Sequence, residues 1–96
     1  MTDEQLRLIG MGLRAGKVIV GTERVRNALQ RTALPLIVVA EDASARTQEK
    51  VVRLANRKGV RIVIGPSADR LGMQLGRPTV QAVGVRDKNI ARAIGG

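Results

Sequence analysis

Alternating strand-like and helix-like stretches predict an α/β fold, a three-layer α/β/α sandwich around a small mixed sheet, in a single domain spanning residues 1–96. Three observations carry this expectation. Leu36-Ile37-Val38-Val39-Ala40 is apolar on both faces, as a central strand requires. Val60 to Ile64 is a second strand-like run separated from the first by a helical segment, and strand, helix and strand in that order suggest a right-handed βαβ unit. Glycines and capping residues mark the boundaries between these stretches.

The elements follow in order. Residues 3–15 place Leu6, Ile9, Gly10 and Leu13 at helical spacing, with Thr2 or Asp3 as cap and Gly16 as stop. Val18-Ile19-Val20 is a β-branched run ending at Gly21, a brief strand or extended connection. Thr22 is expected to cap the second helix. There Val25, Ala28 and Leu29 share one side, Glu23, Asn27 and Gln30 lie opposite, and Arg24, Arg26 and Arg31 take the flanks. After the central strand, Asp42 or Ser44 starts a third helix that runs to about Lys58 and stops at Gly59. Ser67 caps a short helix containing Leu71, Met73 and Leu75, and Gly76-Arg77-Pro78 forms a turn. Thr79 to Val85 reads as a strand, and Asp87 caps a final helix through Ile90, Ala91 and Ile94.

Charge and composition narrow the function. Lys+Arg 17 against Asp+Glu 8 gives a formal charge of +9, beyond what solubility requires and suited to a polyanionic partner. The absence of Cys and His excludes thiol chemistry, disulfides, Cys/His zinc sites and imidazole catalysis. The absence of Phe, Tyr and Trp disfavours modules that stack bases on aromatic rings, so any stacking must use arginine planes or apolar contacts. Met1-Thr2-Asp3-Glu4 is acidic and is not followed by an apolar signal core. The apolar stretch Ala33–Ala40 contains Pro35 and falls well short of the ~18 residues of a membrane span. A cytoplasmic protein without a membrane partner is expected.

Several motifs yield to simpler readings. Gly10-Met11-Gly12-Leu13-Arg14-Ala15 has the spacing of a dinucleotide fingerprint, but it ends a helical pattern instead of joining a strand to a helix. Gly16-Lys17 resembles the end of a P-loop, yet Met11 and Val18 stand where a glycine and a hydroxyl residue are needed. Glu41-Asp42 offers two carboxylates after the central strand, and capping of the third helix by Asp42 is the favoured role. Ser44 and Ser67 lack a histidine to activate them and are read as caps. Arg46, Lys50, Arg53 and Arg57 form a solvated face of the third helix, with Glu49 set to pair with Arg53. No catalytic set, cofactor or metal is expected.

Gly21-Thr22-Glu23-Arg24-Val25-Arg26-Asn27-Ala28 is the segment that points to a ligand. A glycine turn, a hydroxyl and a basic first turn converge there, where unpaired amides and the helix dipole favour an anion. Arg46 and Lys50 extend this basic patch if the second and third helices begin at the same edge of the sheet.

The chain resembles the L-seven-Ae ribosomal-protein family of kink-turn RNA binders. The resemblance rests on Arg14-Ala15-Gly16-Lys17 leading to Gly21-Thr22, on Val25 and Ala28, and on the strand Leu36 to Ala40 continuing into Glu41-Asp42-Ala43-Ser44. Gly59-Val60-Arg61-Ile62 and Leu71-Gly72 with Gly76 add to it, so that it covers nearly the whole chain. Arg14-Ala15-Gly16-Lys17 and Asp42-Ala43-Ser44 followed by Thr47 are similar to the bacterial YlxQ-like branch, small proteins assigned to ribosome-associated RNA binding.

The resemblance implies a non-enzymatic RNA-binding protein, a monomer, with ribosomal RNA and ribosomal proteins as partners. In the family the second helix begins Gly-Thr-Asn-Glu-Val-Thr-Lys, and its Asn, Glu and Lys read tandem sheared G·A pairs. Glu23, Arg24 and Asn27 occupy those positions here. A carboxylate cannot donate, so Glu23 does not reproduce the two-sided pairing of an asparagine, whereas Arg24 reaches a guanine edge or a phosphate. These substitutions weigh against the usual kink-turn specificity. The resemblance also implies contact by Arg77, Pro78, Thr79 and Val80, the loop that packs against an extruded nucleotide in relatives. The RNA-binding set expected is therefore Lys17, Gly21, Thr22, Glu23, Arg24, Arg26, Asn27, Arg31, Arg46, Lys50, Arg77, Pro78, Thr79 and Val80. A protein-interaction module on the same fold, docking on a ribosomal, transcription or translation factor, is the alternative.

Overall fold

In a computed structural model that describes residues 1–95, the chain forms a four-stranded mixed sheet between two helical layers. The elements are α1 (Asp3–Arg14), β1 (Val18–Val20), α2 (Thr22–Arg31), β2 (Leu36–Ala40), α3 (Ala45–Thr47), a π-helical stretch (Gln48–Val52), α4 (Arg53–Arg57), β3 (Arg61–Gly65), α5 (Ala68–Gln74), β4 (Ala82–Val85) and α6 (Lys88–Gly95). Strand order is β1-β4-β2-β3. β2 runs parallel to β3, and β4 is antiparallel to both β1 and β2. The βαβ unit and the sandwich are thus as the sequence predicts.

The two-residue period of the strands divides the core. Val18 and Val20, Leu36, Val38 and Ala40, and Val83 and Val85 point to one face, where α1, α5 and α6 cover them with Leu6, Ile9, Leu71 and Ile94. Ile19, Ile37, Val39 and Ala82 point to the other, against Val25 and Leu29 of α2 and Val51 and Ala55 of the third helix. A strand buried on both faces gains from apolar residues at every position, which is why β2 reads as an unbroken run.

Caps explain most boundaries. Thr2 and Gln5 form a reciprocal capping box at the start of α1, Ser44 accepts from the Thr47 amide, Ser67 from the Arg70 amide, and Asp87 from the Ile90 amide at 2.9 Å. Asp42 departs from expectation. Its Oδ1 accepts from the Ala68 amide at 2.8 Å, so it secures the start of α5, and Ser44 alone caps the third helix.

Three boundaries also shift. β3 begins at Arg61 and ends at Gly65, one residue later than predicted. The last strand shortens to Ala82–Val85, because Thr79 and Val80 run outside the ladder, the Val80 amide bonding to Ala68 O instead, and Gln81 keeps only the bond its carbonyl accepts from the Ala40 amide at 2.9 Å. The third helix is interrupted by the π-helical stretch, in which the Arg53 amide reaches back to Gln48 O.

Gly72 sets the loop after α5. A Cβ there would lie 2.7 Å from Arg77 O and 2.8 Å from Pro78 O, backbone atoms that cannot yield without moving the loop. The Arg77 amide also donates to Gly72 O at 2.8 Å, so Arg77 to Thr79 are carried on α5.

Candidate nucleic-acid interface

The start of α2 is built by Gly21. Its φ of 109° and ψ of 147° lie in a region open essentially to glycine alone, and its amide donates to Ala82 O at 2.9 Å. Gly21 is therefore the N-cap residue, and Thr22 is the first helical residue instead of the predicted cap. No side chain caps this helix. The Val25 amide is the first to find a helical carbonyl, that of Gly21, leaving the amides of Thr22, Glu23 and Arg24 pointing out of the helix end.

The Thr22 hydroxyl does something else. It lies 2.9 Å from the hydroxyl of Thr47, which donates to Gln81 Oε1 at 2.9 Å. With its one proton spent on Gln81, Thr47 accepts from Thr22. Gln81 Oε1 also accepts from the Ser44 amide at 2.8 Å. Thr47 is 2% exposed, so this chain of hydrogen bonds is a covered joint between α2, the third helix and the segment leading into β4. Thr47 carries one signal in the sequence: it interrupts the buried stripe Thr47, Val51, Ala55 with a hydroxyl. Gln81 carries none.

Over this joint lies an ion cluster. Glu23 Oε2 is 3.0 Å from Arg46 Nη2 and 3.2 Å from Lys50 Nζ, and Glu23 Oε1 is 3.9 Å from Arg26 Nη1. The hydrogen bond from Lys50, helped by the charges of Lys50, Arg46 and Arg26, holds the Glu23 carboxyl below its ordinary pKa. The structure thus brings Arg46 and Lys50 to the start of α2, which the sequence left conditional. It also places the carboxylate of Glu23 among their charges.

The opposite flank of α2 is different. Arg24, Asn27 and Arg31 recur at helical spacing along an open groove of about 290 Å³ whose other wall is Arg86 and whose floor includes Ile19 and Leu34. Among the described residues neither Arg24, Arg31 nor Arg86 is within salt-bridge distance of a carboxylate. Arg86 was not among the residues expected from the sequence, since only the β1–β4 pairing carries it to α2.

The remaining expected residues separate. Lys17 Nζ is 3.4 Å from Asp87, whose carboxyl is held below its ordinary pKa first by the Ile90 amide and further by Lys17, so its charge is partly engaged. Arg77, Pro78 and Thr79 are exposed on the loop. Val80 is not: at 3% exposure it packs into the core beside Leu71 and Ala68, because the loop turns inward there, and it offers no surface to a ligand. The predicted Glu49–Arg53 pair forms at 2.6 Å.

As a whole, the layer made by α2 and the third helix is basic. Arg24, Arg26, Arg31, Arg46, Lys50, Arg53, Arg57 and Lys58 stand against Glu23 and Glu49. Among the described residues, no cluster of three His, Cys, Asp or Glu forms that would hold a metal, and no helix is long and apolar enough to cross a membrane.

The chain is 38% identical over 63 residues to an "RNA-binding protein" of Bacillus pumilus, a stretch that makes up 66% of this chain and 77% of that one. It is 30% identical over 91 residues to the RNA-binding protein YlxQ of Bacillus subtilis, covering 95% of this chain and 91% of the relative. Its fold superposes on a solved Bacillus halodurans protein of unknown function with a TM-score of 0.87 at 23% identity, covering 98% and 95% of the two chains. With residues 4–94 matching the profile of the ribosomal protein L7Ae/L30e/S12e/Gadd45 family, across both helical layers and the whole sheet, the chain belongs to that family.

Proposed function

We propose that this protein is a non-enzymatic RNA-binding protein that holds structured RNA against the start of α2 and the exposed loop Arg77 to Thr79. One observation carries the reading. The amides after Gly21 lack a side-chain cap, while Arg24 in the same turn has no carboxylate partner among the described residues, Arg46 and Lys50 crowd the other flank, and Arg31 is equally unpaired at the far end of the helix. Relatives described as RNA-binding proteins support the same conclusion.

In this reading Gly21 gives the RNA backbone a close approach, since nothing lies within 4 Å of where its Cβ would be. The amides of Thr22 and Glu23 meet a phosphate, and Arg24, Arg26, Arg31, Arg46 and Lys50 neutralise the strand around it. Glu23 acts as an internal anion that fixes Arg46 and Lys50 in place. Held there by cations, its carboxylate does not take the part of the family's asparagine, so recognition rests on RNA shape and phosphate placement more than on sheared G·A pairs. Lys17 adds a peripheral contact. Ribosomal RNA is the target favoured by family analogy.

Five such charges, less the one that the carboxylate of Glu23 cancels, make the binding constant fall with roughly the third power of salt concentration. Crosslinking in cells followed by sequencing of the bound RNA tests the proposal, with enrichment of defined structured segments expected. Recovery of no enriched RNA, together with a protein partner retained at high salt, would replace it with the protein-interaction reading.

A further inference from the structure

We propose that the outer edge of β3 pairs antiparallel with the β3 of a second copy of this chain, joining two sheets into one about a two-fold axis at Val63, in place of the monomer that the family resemblance implies. Strand order β1-β4-β2-β3 leaves β1 and β3 at the edges. β1 is three residues long and buried at every position, whereas in β3, Arg61–Gly65, only Gly65 is buried. The central Ile62-Val63-Ile64 carries no charge and no proline, the features that keep an edge strand from pairing, and Ile64 is 60% exposed.

Register follows from the free backbone groups. The Ala40 amide donates to Gln81 O, so Leu36, Val38 and Ala40 turn their N–H and C=O groups toward β4, and Ile37 and Val39 turn theirs toward β3. In the parallel pairing of Ile37 with Ile62 and of Val39 with Ile64, those groups are met by Arg61, Val63 and Gly65. Ile62 and Ile64 are left with N–H and C=O groups facing outward. With Val63 on the axis, Ile62 of each chain lies opposite Ile64 of the other, and each such pair exchanges both of its hydrogen bonds. Moving the axis by one residue enlists either Pro66, which has no amide, or Val60, whose amide is spent on Ala55 O.

Side chains and charges fit the same register. Exposed Ile64 covers half-buried Ile62 of the other chain on one face, and the two Val63 side chains meet on the opposite face. Arg61 lies opposite Gly65, which has no side chain to obstruct it. Glu41, whose amide donates to Pro66 O at 3.2 Å, stands at the C-terminal end of β3 with an exposed carboxylate that no cation engages among the described residues. The two-fold therefore brings the basic Arg61 end of each strand to the Glu41 end of the other. It holds the two Arg61 residues about 13 Å apart along the strands, beyond the Debye length of ~8 Å. Gly21 and Gln81 lie where β2 ends, so antiparallel pairing sends the two RNA-facing ends of the sheets in opposite directions, clear of each other.

Sedimentation equilibrium of nuclease-treated protein over a range of concentrations tests the pairing at about 0.5 M salt, where RNA is released and repulsion between two basic chains is screened. The average mass is expected to rise with concentration from one chain toward two. Ile64→Lys, which replaces an exposed side chain, is expected to hold the mass at one chain with an unchanged Tm. Hydrogen exchange reads the same contact without a substitution: the Ile62 and Ile64 amides of the unaltered protein are expected to exchange more slowly as concentration rises. A mass of one chain at every concentration overturns the proposal, as does exchange at Ile62 and Ile64 that ignores concentration. A dimer that survives Ile64→Lys assigns the contact to another face and overturns it equally, and growth beyond two chains is incompatible with a two-fold pairing that closes on itself.

Discussion

Replacing Thr47 with valine removes one hydroxyl at nearly constant shape from a residue that is 2% exposed, and so isolates the joint beneath the proposed interface. A long 3.4 Å bond from Ser44 Oγ is lost with little effect, and two short hydrogen bonds disappear, one from Thr22 and one to Gln81, each 2.9 Å long. Each is worth about 1 kcal/mol net. The full desolvation penalty is not added, because Gln81 Oε1 keeps the Ser44 amide at 2.8 Å and the partly exposed Thr22 hydroxyl turns to water. Thr47→Val is therefore expected to lose about 2 kcal/mol, which lowers Tm by about 8–16 °C in a domain of this size. Thr47→Ser is the control. It keeps the hydroxyl and loses one buried methyl, for about 0.8 kcal/mol. Urea denaturation of the three proteins should rank them unaltered, serine, valine. If valine proves no more destabilising than serine, the packing of the methyl and not the hydrogen-bonded joint holds the two helices together.

Other outcomes follow from the same geometry. Arg24→Ala should weaken RNA binding and reduce the slope of log K against log salt by about one, read by anisotropy titrations at several salt concentrations; a weaker complex with an unchanged slope would make Arg24 a base reader. Gly21→Ala meets no steric obstacle but places a Cβ at φ 109° and should destabilise the fold by about 1–3 kcal/mol, measured by urea midpoints. An unaltered midpoint would mean that the turn relaxes without cost. Glu23 and Asp87 have folded-state pKa values below those of the unfolded chain. Their contribution is complete above the unfolded carboxylate range near pH 4 and is lost as pH falls through the folded values. Stability should thus decline on acidification, and Glu23→Gln should flatten that decline while steepening the salt dependence of RNA binding by somewhat less than one unit. A shallower salt dependence in Glu23→Gln would show that Glu23 positions more charge than it cancels.

Much of this molecule was legible in one dimension. The strand runs alternate between two cores, Ser44, Ser67 and Asp87 cap the helices that follow them, and Glu49 pairs with Arg53 one turn away. Each of these depends on residues a few positions apart, where helical and strand periods fix the geometry. What was misread or missed shares the opposite property. Thr22 bonds to a residue 25 positions away, Asp42 to one 26 away, and Thr47 to one 34 away. A polar side chain near a helix start satisfies a local amide unless a better partner is folded onto it, and the choice is not visible until the partner arrives. Val80 is the apolar counterpart: beside Pro78 and Thr79 it reads as loop surface, and only the inward turn toward Ala68 buries it.

The sequence by itself determined the fold, the family, the excess of positive charge and the helix start at which that charge gathers, because periodicity, composition and a glycine turn are properties of neighbouring residues. Tertiary structure alone decided how the charge is distributed. Packing α2 beside the third helix set Arg46 and Lys50 upon Glu23, while the β1–β4 pairing carried Arg86 to the other flank and left it beside Arg24 and Arg31 in a groove lined by no carboxylate. Coulomb interactions act across space without regard to chain order, so the cations that are engaged and those left open to a ligand are told apart only once the layers have closed.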